Sequence, residues 1–200
     1  MSAHDQSLVS LHCHPDTPCA AVESIKARVR WEAGNFLRVT YALQGVVEQL
    51  RMPPEGMPRR ADDLWCHTCF ELFVGAKNDA EYYEFNFSPS GQWAAYSFRD
   101  YRDGARCDDN EIEPEITVQR GAASLELSAV IRLDRLPGIQ PNFCLSIGLS
   151  SVVEDLNGTL SYWALKHPLG KPDFHHPDNF ALEFEPKCAN GGAIDDSVKP

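Results

Sequence analysis

Hydrophobic and polar residues alternate with a period of two along most of this chain. In the clearest case, residues 124–133, every second residue is hydrophobic: Leu125, Leu127, Ala129, Ile131 and Leu133. A β-strand points successive side chains to opposite faces, so this period places one hydrophobic face against a core. No segment combines a period of 3.6 with helix-capping residues. The pattern therefore predicts an all-β protein.

Turn-forming residues divide the pattern into roughly eight to eleven short strands. We predict strands at residues 22–31, 36–43, 65–74, 82–87, 92–99, 116–120, 124–133, 142–153, 160–165 and 179–185. Gly34–Asn35 and Asn157–Gly158 give hairpin turn signals, whereas the Pro-rich residues 51–63 and the acidic residues 103–115 are predicted as irregular segments. Many short strands with regular turns are typical of an antiparallel β-sandwich.

The sequence predicts a single folded domain over residues 21–186, because a chain of 200 residues can bury one hydrophobic core. Residues 1–20 are polar and contain prolines, which indicates a lead-in or an edge strand. Residues 187–200 are predicted to form a disordered tail.

Charge and hydropathy argue against nucleic-acid and membrane partners. The net charge is -11, and Arg59–Arg60, the only adjacent basic pair, is followed by Asp62–Asp63. Phosphate binding needs clustered basic residues, so no nucleic-acid partner is expected. No apolar run is long enough to span a membrane, and Met1–Ser10 lacks the features of a secretory signal. We therefore expect a cytoplasmic location.

The seven cysteines are expected to be reduced thiols, because an odd number cannot all pair and no secretory signal is recognised. Cys66 and Cys69 flank His67 in a Cys-x-x-Cys motif, but two thiolates do not complete a structural zinc site. The strand period places the two cysteines on opposite faces, and the motif does not begin a helix as redox pairs do. A structural role is favoured.

Aromatic, acidic and amide side chains share the faces of two successive strands that turn away from the core. The core faces are predicted to carry Phe70, Leu72 and Val74 in one strand and Tyr83, Phe85 and Phe87 in the other. The opposite faces then carry Trp65, His67 and Glu71, and Tyr82, Glu84 and Asn86. Sugar rings stack on aromatic side chains while their hydroxyls bind carboxylates and amides, so this pattern indicates carbohydrate binding. The alternative is that Trp65 covers the core edge and Glu71 pairs with an arginine such as Arg99.

A second cluster follows in the Pro- and Gly-containing residues 162–177, with Tyr162, Trp163, His167, Asp173 and His175. A loop of this composition can fold over a site. Its histidines and aspartate could also ligate a metal or act as acid and base in a metal-dependent enzyme. The alternative is a rigid connection whose histidines donate to backbone carbonyls. No nucleophile elbow, phosphate loop or dinucleotide motif is present, so a non-enzymatic protein is favoured.

The order of three blocks resembles a known family. Trp65 precedes Phe-Glu-Leu-Phe-Val (residues 70–74), Glu-Phe-Asn-Phe-Ser-Pro-Ser-Gly (residues 84–91) follows, and Tyr-Trp-Ala-Leu with Pro-Asp-Phe-His-His-Pro comes late in the chain. This arrangement, over about residues 20–185, is similar to DOMON-like domains, which resemble the family 9 carbohydrate-binding modules. The resemblance implies a jelly-roll or immunoglobulin-like β-sandwich that binds a sugar on one sheet. It implies Trp65 as the first aromatic, Glu71 as the carboxylate, and Tyr162 or Trp163 as the second aromatic.

The resemblance predicts a non-enzymatic protein that binds a small sugar-like ligand without a cofactor and could act beside glycoside hydrolases. The predicted ligand-binding residues are Trp65, His67, Glu71, Glu84, Asn86, Tyr162, Trp163, His167, Asp173 and His175. Related sandwiches bind b-type haem, so the alternative function is a haem-binding electron-transfer module. Met52 or Met57 with His67 or His167 are its candidate ligands. Calcium accompanies some family members, although no Asp-x-Asp-x-Asp loop occurs here.

Overall fold

The computed structural model describes residues 8–54, 56–107, 112–140 and 142–185, and its secondary structure consists of β-strands and short 3₁₀ helices. The strands are β1 (Val9–Cys13), β2 (Val22–Trp31), β3 (Phe36–Gly45), β4 (Arg59–Arg60), β5 (Cys69–Ala76), β6 (Tyr82–Phe87), β7 (Gln92–Asp100), β8 (Asp103–Arg106), β9 (Glu115–Arg120), β10 (Ser124–Arg132), β11 (Leu145–Glu154), β12 (Leu160–Ala164) and β13 (Leu182–Phe184). The 3₁₀ helices include Val47–Gln49, Leu64–Cys66, Leu133–Arg135 and Pro177–Asn179. No helix in these ranges is long and apolar enough to cross a membrane.

The strands form two layers that share β1. The first layer has the order β1-β2-β3-β10-β9, and the second has the order β4-β7-β6-β5-β11-β12-β1. Residues Val9–Leu11 of β1 pair with β2, whereas His12 and Cys13 pair with β12, so one strand passes from layer to layer. The pairings are antiparallel except for β4 with β7. This arrangement confirms the predicted all-β sandwich.

The core lies between the layers, where the period-two pattern predicts it. The first layer contributes residues such as Ile25, Val39 and Leu127, and the second contributes Phe70, Leu72, Val74, Tyr83, Phe85 and Phe87. The predicted core faces of β5 and β6 are therefore confirmed. A second, smaller cluster lies on the other side of the second layer, which we call the outer face, and contains Phe73, Tyr82, Val152, Ala164 and Phe174.

Four segments differ from the sequence-based expectations. Within residues 1–20, predicted as a lead-in or edge strand, β1 is an interior strand with partners on both sides. Residues 65–68, predicted as strand, precede β5, and Trp65 belongs to a 3₁₀ helix. β4 and β8 form inside segments predicted to be irregular, because β7 offers each a pairing edge. The predicted tail, residues 187–200, lies outside the described residues.

One hydrogen bond joins the layers through the core. The fully buried Tyr41 hydroxyl of β3 donates to the backbone carbonyl of Glu71 in β5, at 2.7 Å. This bond fixes the position of β5, whose outer face carries the Glu71 side chain.

We expect Tyr41→Phe to lower the free energy of unfolding by about 1 kcal/mol, because it removes a buried hydrogen bond and preserves the ring. Urea unfolding measures the change. Tyr162→Phe is the matched control, since the Tyr162 hydroxyl makes no hydrogen bond within the described ranges. Equal stability of the two variants would contradict a stabilising bond between the layers.

Candidate ligand-binding site

A cavity of about 450 Å³ opens on the outer face of the second layer. Its polar lining includes Asp63, Glu71, Glu84 and Arg102, and its aromatic lining includes Trp65, Tyr96, Phe98, Tyr162, Phe174 and His175. Strand alternation explains the arrangement, because Glu71, Glu84 and Tyr96 each lie one position away from a core residue, and Phe98 shares the face of Tyr96. The cavity therefore combines apolar rings with charged groups.

Glu71 and Glu84 lie side by side at the base of the cavity. In the β5–β6 register Glu71 opposes Asn86 and Glu84 opposes Phe73, so the two carboxyl groups are diagonal neighbours on one face. Glu71 is 3% exposed and Glu84 is 6% exposed. Asn86 donates its amide Nδ2 to Glu84 Oε1 at 2.6 Å, whereas Glu71 Oε1 has no hydrogen-bond partner among the described residues.

Burial raises the pKa of both carboxyl groups. The pKa of Glu71 lies well above its ordinary value, first because of burial and then because of the negative charge of Glu84; Arg102 and the nearby Ser150 hydroxyl offset part of this rise. Burial raises the pKa of Glu84 to about 7, although the Asn86 amide and Arg102 act in the opposite direction. The pair therefore retains a proton near neutral pH.

His175 is a largely but not fully buried neutral imidazole next to this pair. The Tyr82 hydroxyl lies 2.9 Å from Nδ1, and Glu84 Oε2 lies 3.5 Å from Nε2. Burial lowers the pKa of His175 to about 4, with a further contribution from Arg102 that Asp173 opposes. The Tyr82 hydroxyl oxygen accepts a hydrogen bond from the backbone N–H of Arg102. The hydroxyl can therefore donate its own proton to His175 Nδ1. We infer that the imidazole proton lies on Nε2, facing Glu84.

The segment between β12 and β13, residues 165–181, covers one side of the cavity, and we call it the covering loop. Asp173 pairs with the Arg102 guanidinium at 2.7 Å and accepts a hydrogen bond from the Tyr101 hydroxyl. Asp173 also accepts the backbone N–H of His175 at 3.1 Å. These contacts fix the loop so that Phe174 and His175 line the cavity.

A close approach between the covering loop and β11 requires a glycine. A Cβ atom on Gly148 would lie 2.9 Å from Asn179 Nδ2 and 3.2 Å from the Phe73 Cβ. Asn179 is fully buried and donates Nδ2 to the Phe174 carbonyl at 2.9 Å, so it shapes the loop where Phe174 enters the cavity.

Trp65 stands at the edge of the cavity and remains 49% exposed. Its 3₁₀ helix follows Asp63, which adopts a left-handed conformation with φ 59°, and aspartate tolerates that region better than most residues. Tyr162 projects from β12 on the same face, 5.9 Å from the Phe174 ring centroid. A half-exposed tryptophan beside a polar cavity can stack on a ligand without losing a core contact.

The structure separates the other predicted residues from this lining. Trp163 lies in the core between the layers, because strand alternation points Tyr162 outward and the next residue inward; its Nε1 donates to the Ser161 hydroxyl at 3.1 Å. His67 contacts Glu154 Oε2 at 2.7 Å. Asn86 contacts Glu84 and Asp173 contacts Arg102, and neither is part of the cavity lining.

The structure gives no support to the metal alternative. The ring Nε2 of His167 donates to the His12 carbonyl at 2.8 Å, while Asp173 pairs with Arg102 and His175 contacts Tyr82. In the part of the chain that the structure describes, no three His, Cys, Asp or Glu side chains are placed to hold a metal ion.

The haem and thiol candidates also lie away from the cavity. Met52 packs against the core and Met57 is 84% exposed, and neither lines the cavity. Cys66 is exposed and Cys69 is buried on the outer face of β5, and burial raises the pKa of both thiols. These cysteines are therefore not an activated pair.

Several lining residues were not predicted from the sequence: Asp63, Tyr96, Phe98, Arg102 and Phe174. Tyr96 and Phe98 share a face of β7, and strand pairing places them opposite Glu84 and Tyr82. Their alternation was visible in the sequence, but the pairing of β7 with β6 was not. Arg102 follows β7 in a left-handed conformation, with φ 56°, which no local pattern indicated.

We expect Glu84→Gln to stabilise the protein increasingly as the pH rises from about 4.5 to about 7. In this range the unfolded chain loses the Glu84 proton and the folded chain keeps it, so the stability of the native protein falls as the pH rises. The neutral amide removes this cost, which is about 3 kcal/mol at most. Urea unfolding of both proteins at pH 5 and pH 8 gives the difference. The exposed Glu126→Gln is the control, and a pH-independent difference for Glu84→Gln would argue against the raised pKa.

We expect Gly148→Ala to displace the covering loop, since the new methyl group would overlap Asn179. Hydrogen exchange of residues 173–180 should accelerate, and the free energy of unfolding should fall by about 1–3 kcal/mol. Gly121→Ala is the control, because a Cβ there would make only ordinary contacts, with the Ser124 hydroxyl at 3.5 Å and the Ser124 carbonyl at 3.7 Å. Unchanged exchange in the loop would show that the methyl group is accommodated.

Comparison with known proteins identifies the fold. No protein-family model matches the sequence, and a search of curated proteins found no significant match. A Bacteroides uniformis protein described as a "putative carbohydrate-binding protein" is similar in structure, with a TM-score of 0.64 and 16% identity over 86% of this chain and 83% of that one. A family 9 carbohydrate-binding module from Caldicellulosiruptor kristjanssonii, solved with cellotriose, gives a TM-score of 0.55 and 11% identity over 97% of this chain and 87% of that one. The more specific likeness to DOMON domains stays a prediction. The chain has the β-sandwich fold of family 9 carbohydrate-binding modules.

Proposed function

We propose that this protein binds a carbohydrate in the cavity on the outer face, without catalysing a reaction on it. The observation that carries the proposal is the half-exposed Trp65 at the edge of a 450 Å³ cavity whose base holds Glu71 and Glu84. A sugar needs both features, because it presents an apolar C–H face and a ring of hydroxyl groups.

Each part of the lining has a role in this proposal. The exposed ring of Trp65 stacks on the sugar face, and Tyr162 and Phe174 extend the apolar wall. The Glu71 and Glu84 carboxyl groups accept hydrogen bonds from the sugar hydroxyls, and the Arg102 guanidinium donates hydrogen bonds to hydroxyl oxygens. Most of these groups lie on strands or in the anchored covering loop, so little ordering would be needed on binding.

The fold supports the same function. Two similar structures have TM-scores above 0.5. One is described as a carbohydrate-binding protein, and the other is a family 9 module that was solved with cellotriose. The position of Trp65 and Glu71 on one lining agrees with the roles that the sequence resemblance implies for them.

The arrangement of the carboxyl groups favours binding over hydrolysis. Glycoside hydrolysis needs two carboxyl groups that flank the scissile bond, one as acid and the other as nucleophile or base. Glu71 and Glu84 lie on one sheet face, on adjacent strands, and would contact the same side of a ligand. The protein is therefore proposed to bind carbohydrate without hydrolysing it.

We expect Trp65→Ala to weaken sugar binding at least tenfold while changing stability little, because the ring is half exposed. The native protein is first titrated calorimetrically with a panel of mono- and oligosaccharides, and the variant with the sugars that bind. Native fluorescence provides a second readout, since Trp93 and Trp163 are buried and Trp65 is the most exposed of the tryptophans.

Phe143→Ala is the control, because Phe143 is also an exposed aromatic residue but does not line the cavity. Binding that survives Trp65→Ala unchanged would show that the sugar binds elsewhere. Absence of binding to the whole panel at millimolar concentration would contradict the proposed function.

A further inference from the structure

We propose that the cavity selects carbohydrates that carry a protonated amino group, and that Glu71 binds the ammonium. This inference rests on the proposed function and narrows its ligand class from sugars in general to amino sugars with a free amine. Three observations carry it: the balance of charges in the cavity, an unpartnered buried oxygen, and the aromatic rings around it.

The cavity has more acidic groups than cationic ones. Asp63, Glu71 and Glu84 line it, and Arg102 is its one guanidinium within the described residues. That guanidinium is already paired with Asp173 of the covering loop at 2.7 Å. His175 is neutral and contacts Tyr82 and Glu84. A neutral ligand would leave the carboxyl pair protonated, whereas a cation would compensate its ionised form.

Glu71 Oε1 supplies the specific binding atom. The Glu71 side chain lines the cavity and is only 3% exposed. Its Oε1 atom has no hydrogen-bond partner among the described residues. An unsatisfied buried polar atom is costly, so an atom of this kind is typical of a position that a ligand completes.

An ammonium group fits this position better than a hydroxyl does. It carries three donors and no acceptor, so it can donate to the Glu71 carboxylate and to the neighbouring Glu84 carboxyl at once. A neutral hydroxyl has one donor and can donate to only one of them. The faces of Trp65 and Tyr96 provide additional attraction for a cation.

The ionisation of the carboxyl pair provides a second observable consequence of ammonium binding. The raised pKa values of Glu71 and Glu84 keep a proton on the pair near neutral pH, and a bound cation stabilises its ionised form. Binding of an ammonium should therefore release a proton to the buffer. Binding of a neutral sugar should not.

The test uses matched sugars that differ only by an ammonium in place of a hydroxyl: glucosamine against glucose, galactosamine against galactose and mannosamine against mannose. Isothermal titration at pH 6.5 should show at least tenfold tighter binding of one amino sugar than of its neutral partner. Repeating the titration in buffers of different ionisation enthalpy should show proton release for the amino sugar.

Glu71→Gln should bring the ratio of amino-sugar to neutral-sugar affinity close to one and remove the proton release, whatever its effect on the neutral sugar, and Glu126→Gln is the surface control. Both variants keep the side-chain shape, and thermal unfolding confirms that they are folded. N-acetylation of the amino sugar removes its positive charge without changing the protein. The acetylated sugar should bind no more tightly than the neutral sugar.

Three outcomes would overturn the inference. Neutral hexoses that bind as tightly as their amino partners would exclude ammonium selection and leave the proposed carbohydrate binding intact. A preference for amino sugars that persists in Glu71→Gln would exclude Glu71 as its source. Absence of binding to either set would reject this inference together with the proposed function.

Discussion

The shape of the cavity depends on the ion pair between Arg102 and Asp173. The two residues are 71 positions apart, and their contact holds the covering loop against the turn between β7 and β8. Because half of the Arg102 side chain is exposed, the ion pair alone contributes little free energy. Its importance is geometric. Asp173 also accepts a hydrogen bond from the His175 backbone N–H, and its ion pair with Arg102 holds the Arg102 guanidinium in the cavity wall.

The second layer is buried on both faces around β5 and β6, and this double burial sets the chemistry of the site. One face packs into the core, whereas the other carries carboxyl groups beneath the covering loop. Burial of Glu71 and Glu84 costs stability at neutral pH, because their ionised forms lose hydration and repel each other. Buried groups of this kind are concentrated at functional sites, where the ligand supplies the missing partner.

Much of the fold follows from local patterns in the sequence. Alternation predicted which residues of β5 and β6 face the core, and it placed Glu71 and Glu84 on the opposite face. It failed where the pattern was ambiguous. Tyr162 and Trp163 are adjacent aromatics, so only the packing of β12 shows which of them points outward. β1 is short and polar at alternate positions, and its interior place comes from pairing with strands on both sides.

The sequence by itself determined most of the strands, the core faces of β5 and β6, and the outward position of Glu71 and Glu84, because a period of two is a local property of the chain. Tertiary structure decided which outward residues meet. Tyr96, Arg102 and Phe174 join Glu71 and Glu84 only through the pairing of β6 with β7 and the closure of the covering loop. These contacts bring together segments far apart in sequence, and their register depends on the packing of the whole sandwich. The burial that raises the pKa of both carboxyl groups arises in the same way, since no single segment can exclude water from them.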